Sequence, residues 1–256
     1  MTVTRATPFR RLAIVALAAP LSLALAGCNG SDDPEGAPSG EAIAAIPAPA
    51  GTTWLDTVTV TPEMGYLVGN PEAPIKLVEY ASHTCNACAF FATNAKTPLK
   101  ENYISTGVVA FEQRELIRNS FDLVMATLVQ CGPKESMQPL SDQAWQSFSD
   151  IMNGIQANPE AVNASGELPP EQRFVRVAEV TGLIDFFAAR GLSADQARSC
   201  LADTAKIEAI AKASDEQAKE FNVTGTPTFF LNGSRVEGIS WEDIEPALQR
   251  AGARKE

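Results

Sequence analysis

The chain has 256 residues, 45% of them hydrophobic and 20% charged, which is enough apolar material for one good-sized domain or two small ones. Its net charge of -11 presents a surface that repels phosphate backbones and argues against nucleic acid as a partner. A single histidine, His83, excludes a multi-histidine metal site within the chain; the five cysteines are Cys28, Cys85, Cys88, Cys131 and Cys200.

Arg5, Arg10 and Arg11 precede an apolar run from Leu12 to Ala26, interrupted by Pro20. The run is short of the ~20 residues an ordinary span needs. A positive start, an apolar middle and small residues at the end make residues 1–27 an export signal. Its last residues, Leu25-Ala26-Gly27-Cys28, resemble the lipobox of bacterial lipoproteins, which implies a lipidated Cys28 as the mature amino terminus. A plain signal peptide with a chance cysteine is the alternative. Arg10-Arg11 alone does not make a twin-arginine signal, so Sec export is expected, giving a periplasm-facing, membrane-anchored lipoprotein. Asn29 stands where aspartate commonly marks retention in the inner membrane, which favours the outer membrane. Residues 28–52 are expected to be a disordered tether, because Gly, Pro, Ala, Ser and acids cannot bury enough apolar surface to offset chain entropy. Residues 29–50 would reach at most roughly 70 Å.

Three segments follow: 53–117, 118–204 and 205–256. In the first, Ile75 to Tyr80 reads as a strand, bounded by Asn70-Pro71 and Pro74. Asn86 to Asn102 reads as a helix kinked at Pro98, and Val108 to Gln113 as a second strand, so the two strands should pair in parallel. The middle segment is helical. Phe121, Val124, Met125, Leu128 and Val129 share one helix face, which Gly132-Pro133 ends. Met137 to Gln156 and Gln172 to Ala189 are each helix-like, and Ser193 to Gln196 resembles a capping box. In the third segment Ile207, Ile210, Ala211, Ala218 and Phe221 form an apolar stripe that also includes Ser214. Asn232-Gly233 joins Thr228–Leu231 to Ser234–Val236 as a hairpin, and a helix covers Trp241 to Ala251. The layout is βαβ, a helical block, then ββα.

Cys85-Asn86-Ala87-Cys88 lies just after the first strand, at the start of its helix. Unpaired N–H groups and the positive dipole end stabilise a thiolate there. Cys85 is therefore expected to be the exposed nucleophile and Cys88 the buried residue that resolves a mixed disulfide on it. Half a zinc site and a structural disulfide are the alternatives, but the strand–motif–helix setting in an exported chain favours redox use.

Together with Gly69-Asn70-Pro71, Glu79-Tyr80-Ala81-Ser82 and Gly225-Thr226-Pro227-Thr228, this motif resembles the thioredoxin superfamily and, within it, the DsbA-like branch. The resemblance covers roughly residues 55 to 252. It implies an α/β thioredoxin fold, a central mixed sheet with an inserted helical domain over 118–204. It also implies a cis Pro227 facing the cysteines, and a Thr226 backbone able to pair with a substrate peptide as an added strand. Glu79 takes the place of the family's buried acid beneath the second cysteine, where a raised pKa would let it accept the Cys88 proton. A satisfied structural carboxylate is the alternative. Asn86-Ala87 stand where the best-known oxidases have Pro-His, so the histidine that favours their thiolate is absent. His83 is expected to be a solvated loop residue, with partial substitution for that histidine as the alternative.

With Cys28 lipidated and Cys85 paired with Cys88, Cys131 and Cys200 are left in an oxidising compartment, and a structural disulfide is expected. Some members of the family are similar in having an extra pair; two free buried thiols or a second relay are the rivals. No cofactor is implied. The expected activity is thiol–disulfide exchange on cysteine-containing exported proteins, in the disulfide-forming direction, with a membrane redox partner that the family implies. A periplasmic isomerase or reductase is the alternative, which Thr226 slightly favours, followed by a metal-handling thioredoxin-like protein.

Overall fold

In the computed structural model, which describes residues 40–255, a hairpin of β1 (Val58–Val60) and β2 (Tyr66–Val68) precedes β3 (Ile75–Ala81). From β3 the chain crosses through α1 (Asn86–Leu99) to β4 (Val109–Glu115), which lies parallel to β3. Seven helices then form the insertion: α2 (Ser120–Val129), α3 (Lys134–Gln146), α4 (Phe148–Ala157), α5 (Pro159–Ser165), α6 (Pro170–Val180), α7 (Leu183–Ala188) and α8 (Ala194–Ala202). The sheet is completed by α9 (Thr204–Glu220), the hairpin β5 (Thr228–Leu231) and β6 (Ser234–Arg235), and α10 (Trp241–Arg250). Strand order is β1-β2-β4-β3-β5-β6, and every pair except β3–β4 is antiparallel. This is the mixed α/β architecture with a helical insertion that the sequence implies.

Alternation along β3 divides the protein into layers. Ile75 and Leu77 face α1 and α10, in a core with Phe91, Leu99, Phe229, Ile244 and Leu248. Val78 and Tyr80 face the other way, toward Leu116, Ala218, Val223 and Phe230. The insertion has its own core, built on the α2 stripe of Val124, Met125, Leu128 and Val129 with Leu140, Val177, Phe187 and Leu201. A third, small cluster lies between them: Ala81, Cys85, Cys88, Ala89 and Ala92 around Trp145 of α3. The cysteine pair thus lies where strand end, helix start and insertion meet.

Several expectations need correction. The helix read over Met137 to Gln156 is two helices, broken at Ser147, and that over Gln172 to Ala189 is broken at Gly182, whose φ of 78° is left-handed. α1 runs through Pro98 and passes at Lys100 into a π-helical turn, Lys100–Ile104. The β1–β2 hairpin and α5 are additions to the elements expected from sequence. Residues 40–52, assigned to the tether, are held against the folded body. Ile43 N–H donates to Gly252 O at 3.0 Å and Ile46 N–H to Thr106 O at 2.8 Å. Trp54 Nε1 donates to Ile46 O at 2.7 Å, and both isoleucines pack on the sheet core. Gly107, at φ 73°, lets this strap lie close: a Cβ there would collide with Ile46 O and the Trp54 indole. The export signal, Cys28 and the first part of the tether lie outside the described residues.

Candidate active site

β3 ends at Ala81 and α1 begins at Asn86, so four residues must turn the chain from strand to helix. Asp122 of α2, 1% exposed, fixes that turn. Its carboxylate accepts from Ser82 Oγ at 2.8 Å and from Thr84 N–H at 2.9 Å, and it also accepts from Arg118 N–H at 3.1 Å. Cys85 becomes the N-cap residue, and its Sγ accepts from Cys88 N–H at 3.3 Å. The Thr226–Pro227 peptide is cis, and Thr226 O lies 3.2 Å from Cys85 Sγ. Arg118 Nη1 donates to Thr226 Oγ1 at 3.2 Å.

Both thiols of the motif are free. Cys88 is wholly buried, but Cys85 is only 5% exposed, which corrects the expectation of an open nucleophile. Thr226 O lies against its sulfur, and it packs in the cluster around Trp145. The two sulfurs have opposite acidities. A hydrogen bond from the Cys88 side chain does most to pull the Cys85 thiol down to about 5, against burial; a bond with Thr226 and the N–H groups of Cys88 and Ala87 add to it. Burial, foremost, drives the Cys88 thiol far above its ordinary value, with the Cys85 hydrogen bond and the Glu79 charge adding to it. One sulfur is ionised at neutral pH and its neighbour keeps its proton.

Glu79 is fully buried, and neither of its oxygens has a hydrogen-bond partner. Burial raises its pKa to about 7, Lys96 opposes the rise, and Asp142, Cys85 and Glu115 add to it. Lys96 lies on the α1 face of Cys88, two turns further on. Its Nζ is 2.9 Å from Asp142 Oδ1 and 2.9 Å from Gln113 Oε1, and 4.2 Å from the Trp145 ring centroid. Gln113 is the partner of Glu79 in the parallel β3–β4 register. Sequence reasoning misses Lys96, Gln113, Asp122 and Asp142. The one signal is a lysine among Phe91, Ala92, Ala95 and Leu99, where only a paired cation is tolerated.

His83 is buried at 1% exposure, which corrects its reading as a solvated residue. Its Nδ1 is 3.2 Å from Glu115 Oε2, its Nε2 is 3.1 Å from Ser141 Oγ, and its ring stacks on Trp145 at 4.8 Å. Only Nε2 makes a hydrogen bond, to Ser141, while Nδ1 and Glu115 Oε2 lie close to each other without one. Cys131 and Cys200 are bonded to each other, with Cα atoms 5.9 Å apart, and tie the end of α2 to α8 away from the Cys85 cluster. Among the described residues, no three His, Cys, Asp or Glu side chains are grouped to hold a metal ion.

The arrangement suits two-electron sulfur exchange: a stabilised thiolate, a protonated neighbour on the next helical turn, a buried acid beneath it, and strand-like backbone opposite. The family model described as Thioredoxin matches residues 61–250. A Rickettsia bellii protein named "Putative protein-disulfide oxidoreductase" is 28% identical over 74% of this chain and 65% of its own length. A namesake from Rickettsia conorii is 29% identical over 72% and 59%. The chain therefore spans under two thirds of these relatives. Among solved structures, a protein-disulfide isomerase from Novosphingobium aromaticivorans superposes with a TM-score of 0.68 at 28% identity, covering 72% of this chain and 95% of that one. Alpha-DsbA1 of Wolbachia pipientis, at 22% identity and a TM-score of 0.58 over 73% and 89%, shares the fold.

Proposed function

The chain belongs to the thioredoxin family, with the fold of its DsbA-like members, and from that premise we propose that it is a protein thiol–disulfide oxidoreductase working through Cys85 and Cys88. The carrying observation is the Cys85 sulfur, capped by the Cys88 N–H at 3.3 Å and lying 3.2 Å from Thr226 O. In the disulfide-forming direction, a substrate thiolate attacks Cys85 of the Cys85–Cys88 disulfide, and Cys88 leaves as a thiolate. A second substrate thiolate then attacks the substrate sulfur of the mixed disulfide and releases Cys85 as a thiolate. Two electrons pass to the cysteine pair, and in this reading Glu79 delivers the proton that Cys88 recovers. In reverse, Cys85 attacks a substrate disulfide, and Cys88 resolves the intermediate after yielding its proton to Glu79.

The lowered pKa of Cys85 supports the forming direction. A thiolate stable in the reduced pair favours that pair over its disulfide, making the disulfide the better oxidant. An isomerase or reductase is the second reading, supported by Thr226 before the cis proline and by the isomerase name of the Novosphingobium relative. The substrates in this proposal are cysteine-containing exported proteins, and a membrane redox partner would restore the disulfide. Lipidation of Cys28 would anchor the protein facing the periplasm, with the outer membrane favoured by Asn29.

The deciding experiment is alkylation of cells followed by a gel shift that reads the state of Cys85 and Cys88, with Cys85→Ser alongside. A disulfide in vivo supports the forming direction, and a dithiol the second reading. Exchange of protein disulfides that survives in Cys85→Ser ends the proposal. Palmitate labelling that persists in Cys28→Ala ends the anchor.

A further inference from the structure

Three chain segments close around Cys85. Thr84 and Asn86 flank Cys85, Arg118 and Asn119 lie before α2, and Thr226 precedes the cis proline. Asn119 Nδ2 donates to Thr84 Oγ1 at 2.9 Å, and Arg118 Nη1 to Thr226 Oγ1 at 3.2 Å. Arg118 is the one side chain of these five that carries a charge. It is exposed, and no carboxylate lies within 4.0 Å of its guanidinium among the described residues. The nearby Asp122 is spent on Ser82 Oγ and on the Thr84 and Arg118 N–H groups. This cation stands out on a chain with 31 acidic and 20 basic residues.

We infer that Arg118 selects substrates: polypeptides with an acidic side chain beside the reacting cysteine. The inference rests on the oxidoreductase reading and on strand addition at Thr226. In an added strand, the residue opposite Thr226 has its Cβ about 5 Å from that of Thr226. The guanidinium already touches Thr226 Oγ1, so an aspartate or glutamate at that opposite position falls within its reach. The incoming carboxylate takes the Thr226 hydroxyl's place on a bidentate donor. A lysine there meets a like charge. Being exposed, such a pair changes the exchange rate by about threefold to fivefold, and screening by salt weakens it.

The test uses the full chain and three synthetic cysteine peptides that differ at one residue beside the cysteine: Asp, Asn or Lys. The second-order rate of exchange with the Cys85–Cys88 pair is measured for wild type, Arg118→Gln and Arg118→Glu, at low salt and at about 0.5 M NaCl, where the Debye length falls well below that at physiological salt. The expected wild-type order is Asp, Asn, Lys. Arg118→Glu inverts it, Arg118→Gln flattens it, and high salt compresses it in every case. An order that is flat in wild type, or unchanged in both variants, overturns the inference while exchange itself proceeds. If Arg118→Glu does not fold, Arg118→Gln alone decides between a flattened and an unchanged order. Absence of exchange with all three peptides in wild type overturns the oxidoreductase reading, and the selection with it.

Discussion

Glu79 is buried with neither carboxyl oxygen hydrogen-bonded, and its pH dependence has a definite sign. Its carboxyl titrates at about 7 in the folded protein against an ordinary value of 4.5. Well below pH 4.5 both folded and unfolded chains hold the proton, and the group's titration takes nothing from stability. As pH rises from 4.5 to 7 the unfolded chain ionises first, so folded stability falls, levelling off above pH 7 at about 3 kcal/mol. Glu79→Gln removes that slope. Urea titrations of the variant and wild type should differ by about 3 kcal/mol more in the variant's favour at about pH 8 than at about pH 4. An equal difference at both pH values would mean that the carboxyl is not raised. Much at this scale is legible in the sequence: a glutamate in step with Ile75 and Leu77 on a buried strand must face the core. His83 is not legible, because its surroundings come from Glu115, Ser141 and Trp145, which are distant in the chain. The same holds for Lys96, whose countercharge Asp142 belongs to α3.

Among the elements, those with a strong local signal are legible. Asn232 and Gly233 both adopt left-handed φ, 49° and 81°, so the β5–β6 turn can be recognised from its two residues. The α2 and α9 stripes are clear because their apolar residues recur at helical spacing. Even the odd residue of the α9 stripe, Ser214, is used by the fold, since its Oγ accepts from Ile117 N–H at 2.8 Å. The helix breaks at Ser147 and Gly182 escape sequence reasoning because apolar periodicity continues across them. The β1–β2 hairpin escapes it because three-residue strands carry too little alternation. The insertion that these helices form is braced by the Cys131–Cys200 bond, which closes a 69-residue separation. In the chain-entropy account such a closure is worth about 4 kcal/mol. Cys131→Ser/Cys200→Ser is therefore expected to lose roughly 2 to 4 kcal/mol in urea titration while still reducing insulin. Loss of insulin reduction in a variant that remains folded would show that the bridge takes part in exchange.

For the whole molecule, the strap at residues 40–52 changes where the folded body begins. Compared with removal of residues 1–39 alone, removing 1–52 also takes away the Ile43 and Ile46 backbone bonds and their apolar contacts. That loss, about 2 kcal/mol, should lower Tm by roughly 5 °C in calorimetry; equal Tm values for the two truncations would mean the strap is not held. Its mooring has a directional consequence. The strap is pinned at Thr106 and Gly252, and Thr106 precedes β4, whereas Cys85 follows the far end of the parallel β3. With the proposed lipid on Cys28, only twelve residues separate the membrane from Gly40, a lead of roughly 40 Å at full stretch. The protein would then be leashed by its back, its reactive mouth turned outward to whatever diffuses past, and a redox partner in the bilayer would have to reach around it.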